Sequence, residues 1–328
     1  MTTPRLNHRP LGRTGLQVSE IGFGAWGIGG GWGERDDAEG VAALHAAFDH
    51  GIDFVDTAMG YGAGHSELLI GRVLSERSEN VTVATKASPK NLKWPGASDT
   101  PVSDAFPSGY LRECTEASLE RLGIDRIDVQ QMHYWVARWL DEGDWRDEVA
   151  ALKKEGKIKA FGVSIADHEP DTALDLVRSG FVDTVQVIHN IFDQSPQDEL
   201  YDACLEHQVG VIVRVALDEG GLTGTIRPGM TFADGDWRQS YFRGDRPAQV
   251  AERVDAITAD LGIAPEQMAE TSLRYVLSHD AVSTVIVGMR NVRNVVRNAG
   301  VADGRGLPAD QVAKLRAHRW DRDFYAAD

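Results

Sequence analysis

Only two cysteines, Cys114 and Cys204, occur in 328 residues. So few in so long a chain exclude a disulfide scaffold. Each falls on the apolar stripe of a helical-period segment, where a reduced thiol packs as a small hydrophobe. Long apolar runs are also missing. No window approaches about 18 consecutive apolar residues, so no transmembrane helix is expected. The stretch MTTPRLNHRP lacks the apolar centre of a signal peptide. Basic charge is the third scarcity: 34 Lys and Arg stand against 50 Asp and Glu, a net charge of −16. Such a surface repels nucleic acid and anionic membrane. The expectation is a cytoplasmic protein with a small-molecule partner, and a homo-oligomer is compatible with it. No metal is expected: His65-Ser-Glu67 is not H-E-x-x-H, and neither cysteine has a second thiol nearby.

What is present is alternation. Eight short runs rich in Val, Ile or Phe (20–24, 53–56, 81–85, 128–132, 159–163, 184–188, 210–215 and 283–287) read as strands buried on both faces. Segments of helical period separate them. Leu111, Cys114, Ser118 and Leu122 form one stripe. Ser108, Pro170 and Pro265 read as helix starts, and Gly123, Gly156 and Gly262 as helix ends. Eight strand–helix units without a linker or composition break predict one domain over 1–328, a (β/α)8 TIM barrel. An N-terminal β-hairpin within 9–19 precedes it, and an extra C-terminal helix over 308–318 follows. Residues 217–247 read as a long Gly- and Asp-rich loop, a length that is usually functional.

Gly22-Phe-Gly24-Ala-Trp-Gly27 matches a dinucleotide fingerprint in form only. That motif needs its third glycine to open a helix, and Ile-Gly-Gly-Gly-Trp-Gly is a poor helix start. The informative residues are at strand ends: Asp56, Tyr61 five residues later, Lys86 after the third strand, and His133 at the end of the fourth. In a barrel these ends converge on one mouth. A Tyr hydroxyl, with a reference pKa of roughly 10, is a weak acid. An adjacent ammonium, Lys86, is expected to bring it down, with Asp56 holding that ammonium charged. His133 is placed to donate to a carbonyl oxygen. The set suits carbonyl reduction, with the hydride coming from a nicotinamide or flavin.

LGRTGLQVSEIGFGAWGIG, DFVDTAMGYG, ATK, the strand ending in His133, and FGVS together resemble the aldo-keto reductases over nearly the whole chain. The resemblance implies a (β/α)8 barrel with NADP(H) extended across its mouth and a small carbonyl substrate. It assigns the catalytic tetrad to Asp56, Tyr61, Lys86 and His133. It assigns cofactor contacts to Trp26, Ser164, Gln186, Arg214, Leu217, Gly220, Leu222, Gly288, Arg290, Asn294 and Asn298. The segment 217–224 resembles the family's pyrophosphate cover, whose backbone N–H groups can cradle phosphate. Arg290 is at the 2′-phosphate position, whereas Arg293 and Arg297 read as a solvated helix face. Two departures stand out. Ile165 follows Ser164 where the family has Asn, and Arg214 replaces a Tyr that stacks on the nicotinamide. A guanidinium there is expected to shift the redox balance of the cofactor. Trp26 and Trp135, with Trp32 and the insert 94–106, are expected to line the substrate pocket. Two rival readings are a cofactor-bearing regulatory sensor with slow turnover, and a redox-neutral sugar-modifying enzyme that retains NADP tightly.

Overall fold

The computed structural model describes residues 6–30, 32–33, 35–93 and 96–326. Two short strands, β1 (His8–Pro10) and β2 (Gln17–Ser19), pair antiparallel as a hairpin. Eight parallel strands then close a barrel. They are β3 (Ile21–Gly24), β4 (Phe54–Asp56), β5 (Thr82–Ala87), β6 (Ile127–Met132), β7 (Ile158–Ser164), β8 (Thr184–Ile188), β9 (Gly210–Arg214) and β10 (Val282–Gly288). β10 pairs with β3 to complete the ring. The predicted (β/α)8 architecture and hairpin are therefore as expected. Lys86 is an exception in detail, lying inside β5 rather than beyond it.

Alternation along the strands sorts the barrel interior into layers. Phe54, Ala84, Val129, Ala160 and Ile212 form one apolar layer, each at most 1% exposed. Leu11 and Val18 of the hairpin join that layer and plug the floor of the barrel. Two residues further along, Phe54, Ala84, Val129 and Ile212 give way to the polar Asp56, Lys86, Gln131 and Arg214, and Ser164 of β7 and Gln186 of β8 add to the polar set. The layer change is what turns a packed core into a site. Gly162 belongs to the same inward set. A Cβ there would stand 2.1 Å from Thr184 Oγ1, so only glycine lets β7 and β8 close at that point.

Helices form the outer layer, among them Asp37–Asp49, His65–Ser75, Tyr110–Leu122, Trp145–Lys154 and Met268–Leu277. Gly123 (φ 64°) and Gly262 (φ 66°) end helices in the left-handed region, as predicted. Gly156 (φ 77°) follows the helix ending at Lys154. Ser108 differs from its expected role: Gly109 is the cap residue, and the Ser108 hydroxyl donates instead to Asp144 at 2.5 Å. The segment 217–247 also differs. It holds a 3-10 stretch (Asp218–Thr223) and a short helix (Trp237–Tyr241), and a long helix begins at Arg246. The Gly-rich stretch after β3 forms one helical turn, Trp26–Gly29, which stops at Gly30 (φ 109°). Both cysteines are buried and unpaired. Burial pushes the Cys114 thiol up to about 11 and the Cys204 thiol to about 12, so both stay protonated. Among the described residues no helix is long and apolar enough to cross a membrane.

Candidate active site

The polar layer centres on one ammonium. Lys86 is fully buried, and its Nζ donates to Asp56 Oδ1 (2.5 Å), to the Thr57 carbonyl (2.8 Å) and to the Tyr61 hydroxyl (3.2 Å). Asp56 is held from its other side. Its Oδ2 accepts from Gln186 Nε2 (2.8 Å) and Gln131 Nε2 (3.3 Å). Each contact follows from strand register, because β5 lies between β4 and β6 and brings Lys86 between Asp56 and Gln131.

Tyr61 reaches this layer from the turn after β4, where its N–H donates to the Ala58 carbonyl (3.0 Å). The helical turn Trp26–Gly29 presses on it. A Cβ on Gly29 would lie 2.9 Å from the Tyr61 carbonyl carbon, so glycine permits the approach. His133 follows β6, anchored by its N–H to the Ala87 carbonyl (3.0 Å). Its ring is edge-on to Tyr61, with centroids 5.5 Å apart, and Ser88 Oγ lies 3.5 Å from its Nδ1. The four strand-end residues read from the sequence therefore meet at the open end of the barrel.

Electrostatics modifies the expected acid. Burial raises the Tyr61 pKa, Lys86 lowers it and Asp56 raises it again, so the net direction is upward. The sequence-based expectation of a depressed tyrosine is corrected: burial, the largest influence, outweighs the pull of Lys86, and Asp56 adds to the rise. Burial alone would push Lys86 down, but Asp56 and Tyr61 outweigh it and its pKa is raised. Burial, Lys86 and Arg214 hold His133 well below the usual histidine value, so its imidazole is neutral.

The remaining predicted residues are spread around the mouth. Ser164 is buried at the end of β7 and pairs in register with Gln186. Ile165 turns its side chain into the core. Arg214 Nη2 donates to Asp167 Oδ1 (2.6 Å) and to the Ile165 carbonyl (3.1 Å), while its Nε is buried without a hydrogen-bond partner. In the next loop, Leu217 is half-buried, and its carbonyl accepts the N–H groups of Gly220 (2.9 Å) and Leu222 (3.0 Å). Those two amides are thus engaged within the loop. Gly288 is exposed, with open space where a Cβ would be. Arg290 donates to the Trp32 carbonyl, Asn294 is half-buried and Asn298 buried. Arg293 and Arg297 are exposed, as predicted for a solvated face.

Trp26 is half-buried at the mouth, edge-on to Trp32 (5.7 Å) and near Trp237 (6.1 Å). Trp135 is elsewhere. It is 1% exposed, packs on Trp139 and Trp145, and donates to the Thr172 carbonyl at 3.1 Å. It is a core residue, and its expected place in the pocket is corrected. Within the insert 94–106, residues 94 and 95 lie outside the described residues. Phe106 is buried against Trp139, so this insert serves packing too.

Sequence reasoning missed Gln131, Asp167, Glu219 and Tyr325. Gln131 was findable, since Gln130 and Gln131 stand between the apolar Val129 and Met132 in β6. Asp167 and Tyr325 carry no local signal, because their partners Arg214 and Glu219 are remote in sequence.

Comparison with known proteins agrees with this fold. The model of the Aldo/keto reductase family matches residues 20–319. A protein from Bacillus subtilis, uncharacterized oxidoreductase YqkF, is 29% identical over 98% of this chain and 99% of its own length. The NADH-specific methylglyoxal reductase of Escherichia coli is 33% identical over 70% of this chain and 74% of its own. The solved structure of glycerol dehydrogenase AKR11B4 from Gluconobacter oxydans superimposes with a TM-score of 0.74 at 28% identity, covering 97% of this chain and 95% of that one.

Proposed function

This chain belongs to the aldo/keto reductase family, and from that premise we propose that it reduces a small aldehyde, ketone or keto-sugar to the alcohol with NADP(H), using Tyr61 as general acid. The observation that carries this reading is the 3.2 Å contact of Lys86 Nζ with the Tyr61 hydroxyl at the open end of a plugged barrel. The names of two relatives, methylglyoxal reductase and glycerol dehydrogenase, favour a small polar substrate.

The residues present fit a dinucleotide. Arg214 Nε is a buried donor without a partner, there is open space over Gly220 and Gly288, and the helix Val292–Ala299 begins directly after Arg290. A helix N-terminus favours phosphate, and Arg290 supports NADP(H) although the Escherichia coli relative is NADH-specific. Trp26, Ser164, Gln186 and Arg214 would hold the nicotinamide end. The 217–222 loop, Gly288, Arg290, Asn294 and Asn298 would hold the phosphates and adenosine.

Bound NADPH supplies the hydride that reduces the carbonyl carbon. Tyr61 delivers its proton to the carbonyl oxygen. Lys86 stabilises the phenolate left behind, and Asp56 keeps Lys86 charged and oriented. His133, held neutral, donates an N–H to the same oxygen and fixes its direction. The test is NADPH oxidation against a panel of aldehydes, ketones and keto-sugars, with Tyr61→Phe as control. Turnover that disappears in the variant supports the reading. NADPH binding without turnover on any compound would return weight to the sensor or redox-neutral alternatives.

A further inference from the structure

A neutral imidazole has one N–H to give, and His133 is held neutral by burial, Lys86 and Arg214. Which ring nitrogen bears that proton is set by the hydrogen bond the other one makes. Ser88 stands beside the ring. β5 and β6 pair in register at Ala87 and Met132, so Ser88 and His133 are the next residues beyond the paired ends. The His133 N–H donates to the Ala87 carbonyl at 3.0 Å, which ties the two backbones there. Side chains alternate along a strand. Ser88 follows Lys86 by two residues, as His133 follows Gln131, so both continue the inward-facing set. The outcome is a Ser88 Oγ 3.5 Å from His133 Nδ1. The turn before Tyr61 confines that hydroxyl. The Met59 N–H donates to the Lys86 carbonyl at 3.2 Å, and a Cβ on Gly60 would stand 2.7 Å from Ser88 Oγ. Glycine at 60 therefore leaves the hydroxyl its place next to the imidazole.

We infer that Ser88 is a positioning residue: its hydroxyl donates to His133 Nδ1 and so keeps the imidazole proton on Nε2, the nitrogen left for a substrate carbonyl. The inference rests on the reading of His133 as a donor to the carbonyl oxygen. Two arrangements join such a pair, O–H to nitrogen or N–H to oxygen. The imidazole nitrogen is the more basic atom, which favours the first. The second would leave a bare Nε2 lone pair against the carbonyl oxygen and stabilise nothing. At 3.5 Å the contact is at the long end for a hydrogen bond. Catalytic hydrogen bonds commonly start long and tighten as the reacting complex forms.

The test reads the tautomer directly, by 15N NMR of full-length protein labelled in its histidines. The His133 signals are identified by their loss in His133→Gln. The wild type should show a protonated Nε2 and a bare Nδ1. Ser88→Ala should shift His133 toward a mixture of tautomers, and Ser88→Thr, which keeps the hydroxyl, should restore the wild-type pattern. Unchanged signals from the buried His189 in each variant show that the fold is intact. Reductive kcat should fall about five- to tenfold in Ser88→Ala, the scale of one hydrogen bond between neutral groups, and recover in Ser88→Thr. A purely structural serine would leave the tautomer unmoved. A wild-type proton on Nδ1, or a His133 pattern identical in wild type and Ser88→Ala, overturns the inference. The NMR readout needs neither NADPH nor substrate. If no carbonyl compound is turned over, the reductase reading fails separately, and the tautomer still decides the role of Ser88.

Discussion

Gln186 donates its side-chain amide to Asp56 over 2.8 Å, linking β8 to β4 across the barrel interior. The residue read from the sequence as a nicotinamide contact therefore also braces the carboxylate that holds Lys86. Gln186→Leu should leave Asp56 Oδ2 with only the longer Gln131 contact of 3.3 Å. We expect a loss of about 1.5–3 kcal/mol in unfolding free energy, the worth of a hydrogen bond to a charged group, together with lower kcat. Urea denaturation and steady-state kinetics check both, and an unaltered stability would show that the brace carries no load.

Lys86→Met removes the ammonium while keeping its volume. Asp56 is then buried without its ion-pair partner, and unfolding free energy should fall by about 3–5 kcal/mol. Adding Asp56→Asn should restore much of that stability but no reductase activity. A double-mutant cycle by chemical denaturation measures the coupling; additive single effects would contradict the pairing.

In the proposed reduction the acid form of Tyr61 is the active one. Since burial, with Asp56, holds its pKa above the ordinary phenol value and burial keeps His133 neutral, neither group changes state near neutrality. Reductive kcat/KM should be flat from about pH 6 to about 9 and fall only on the alkaline side, as Tyr61 ionises. A profile of NADPH oxidation with a maximum near neutrality would place another group in control.

Burial pushes the Glu219 carboxyl up to about 7, with Asp218 and Asp167 adding to the rise and Tyr325 and Arg214 opposing it. A raised folded-state pKa means that stability is fully present below the unfolded carboxyl value, about 4.3, and is lost as pH climbs to about 7. Glu219→Gln keeps an acceptor for Tyr325 and removes the titration. Between about pH 5 and 8 the wild type should lose roughly 3 kcal/mol relative to this variant. Parallel thermal melts across that range are the measurement, and parallel curves for the two proteins would refute the assignment.

Arg214 lies close enough to Tyr61 and His133 to shift both electrostatically. A fixed cation beside a ring that becomes positive on oxidation disfavours the oxidised form. The wild type should therefore bind NADPH more tightly than NADP+, and Arg214→Tyr should narrow that ratio about tenfold. Fluorescence titrations with both forms supply the ratio. An identical ratio in the two proteins would remove Arg214 from the redox balance.

The barrel was legible because eight short runs rich in Val, Ile or Phe alternate with segments of helical period, a pattern that needs no knowledge of distance. Asp56, Tyr61, Lys86 and His133 stood out because each lies at or just beyond the end of such a run. Two kinds of information were not. Burial magnitude reversed the expected direction for Tyr61, because a counter-ion offsets its ammonium and desolvation is a property of the packed site. Partners distant in sequence, such as Arg322 with Asp218 or Arg214 with Asp167, depend on how loops fold over the mouth. Trp135 failed as a pocket residue because position beside His133 says nothing of which way an indole turns.

The hairpin that packs Leu11 and Val18 under Phe54 leaves the barrel open at one end only. Lys86 touches no solvent, and among its hydrogen-bond partners only Tyr61 carries an exchangeable hydrogen. The ammonium is thus wired to the outside through a single hydroxyl. With the floor sealed in this way, the loops around the mouth alone stand between the buried ammonium and anything that approaches it.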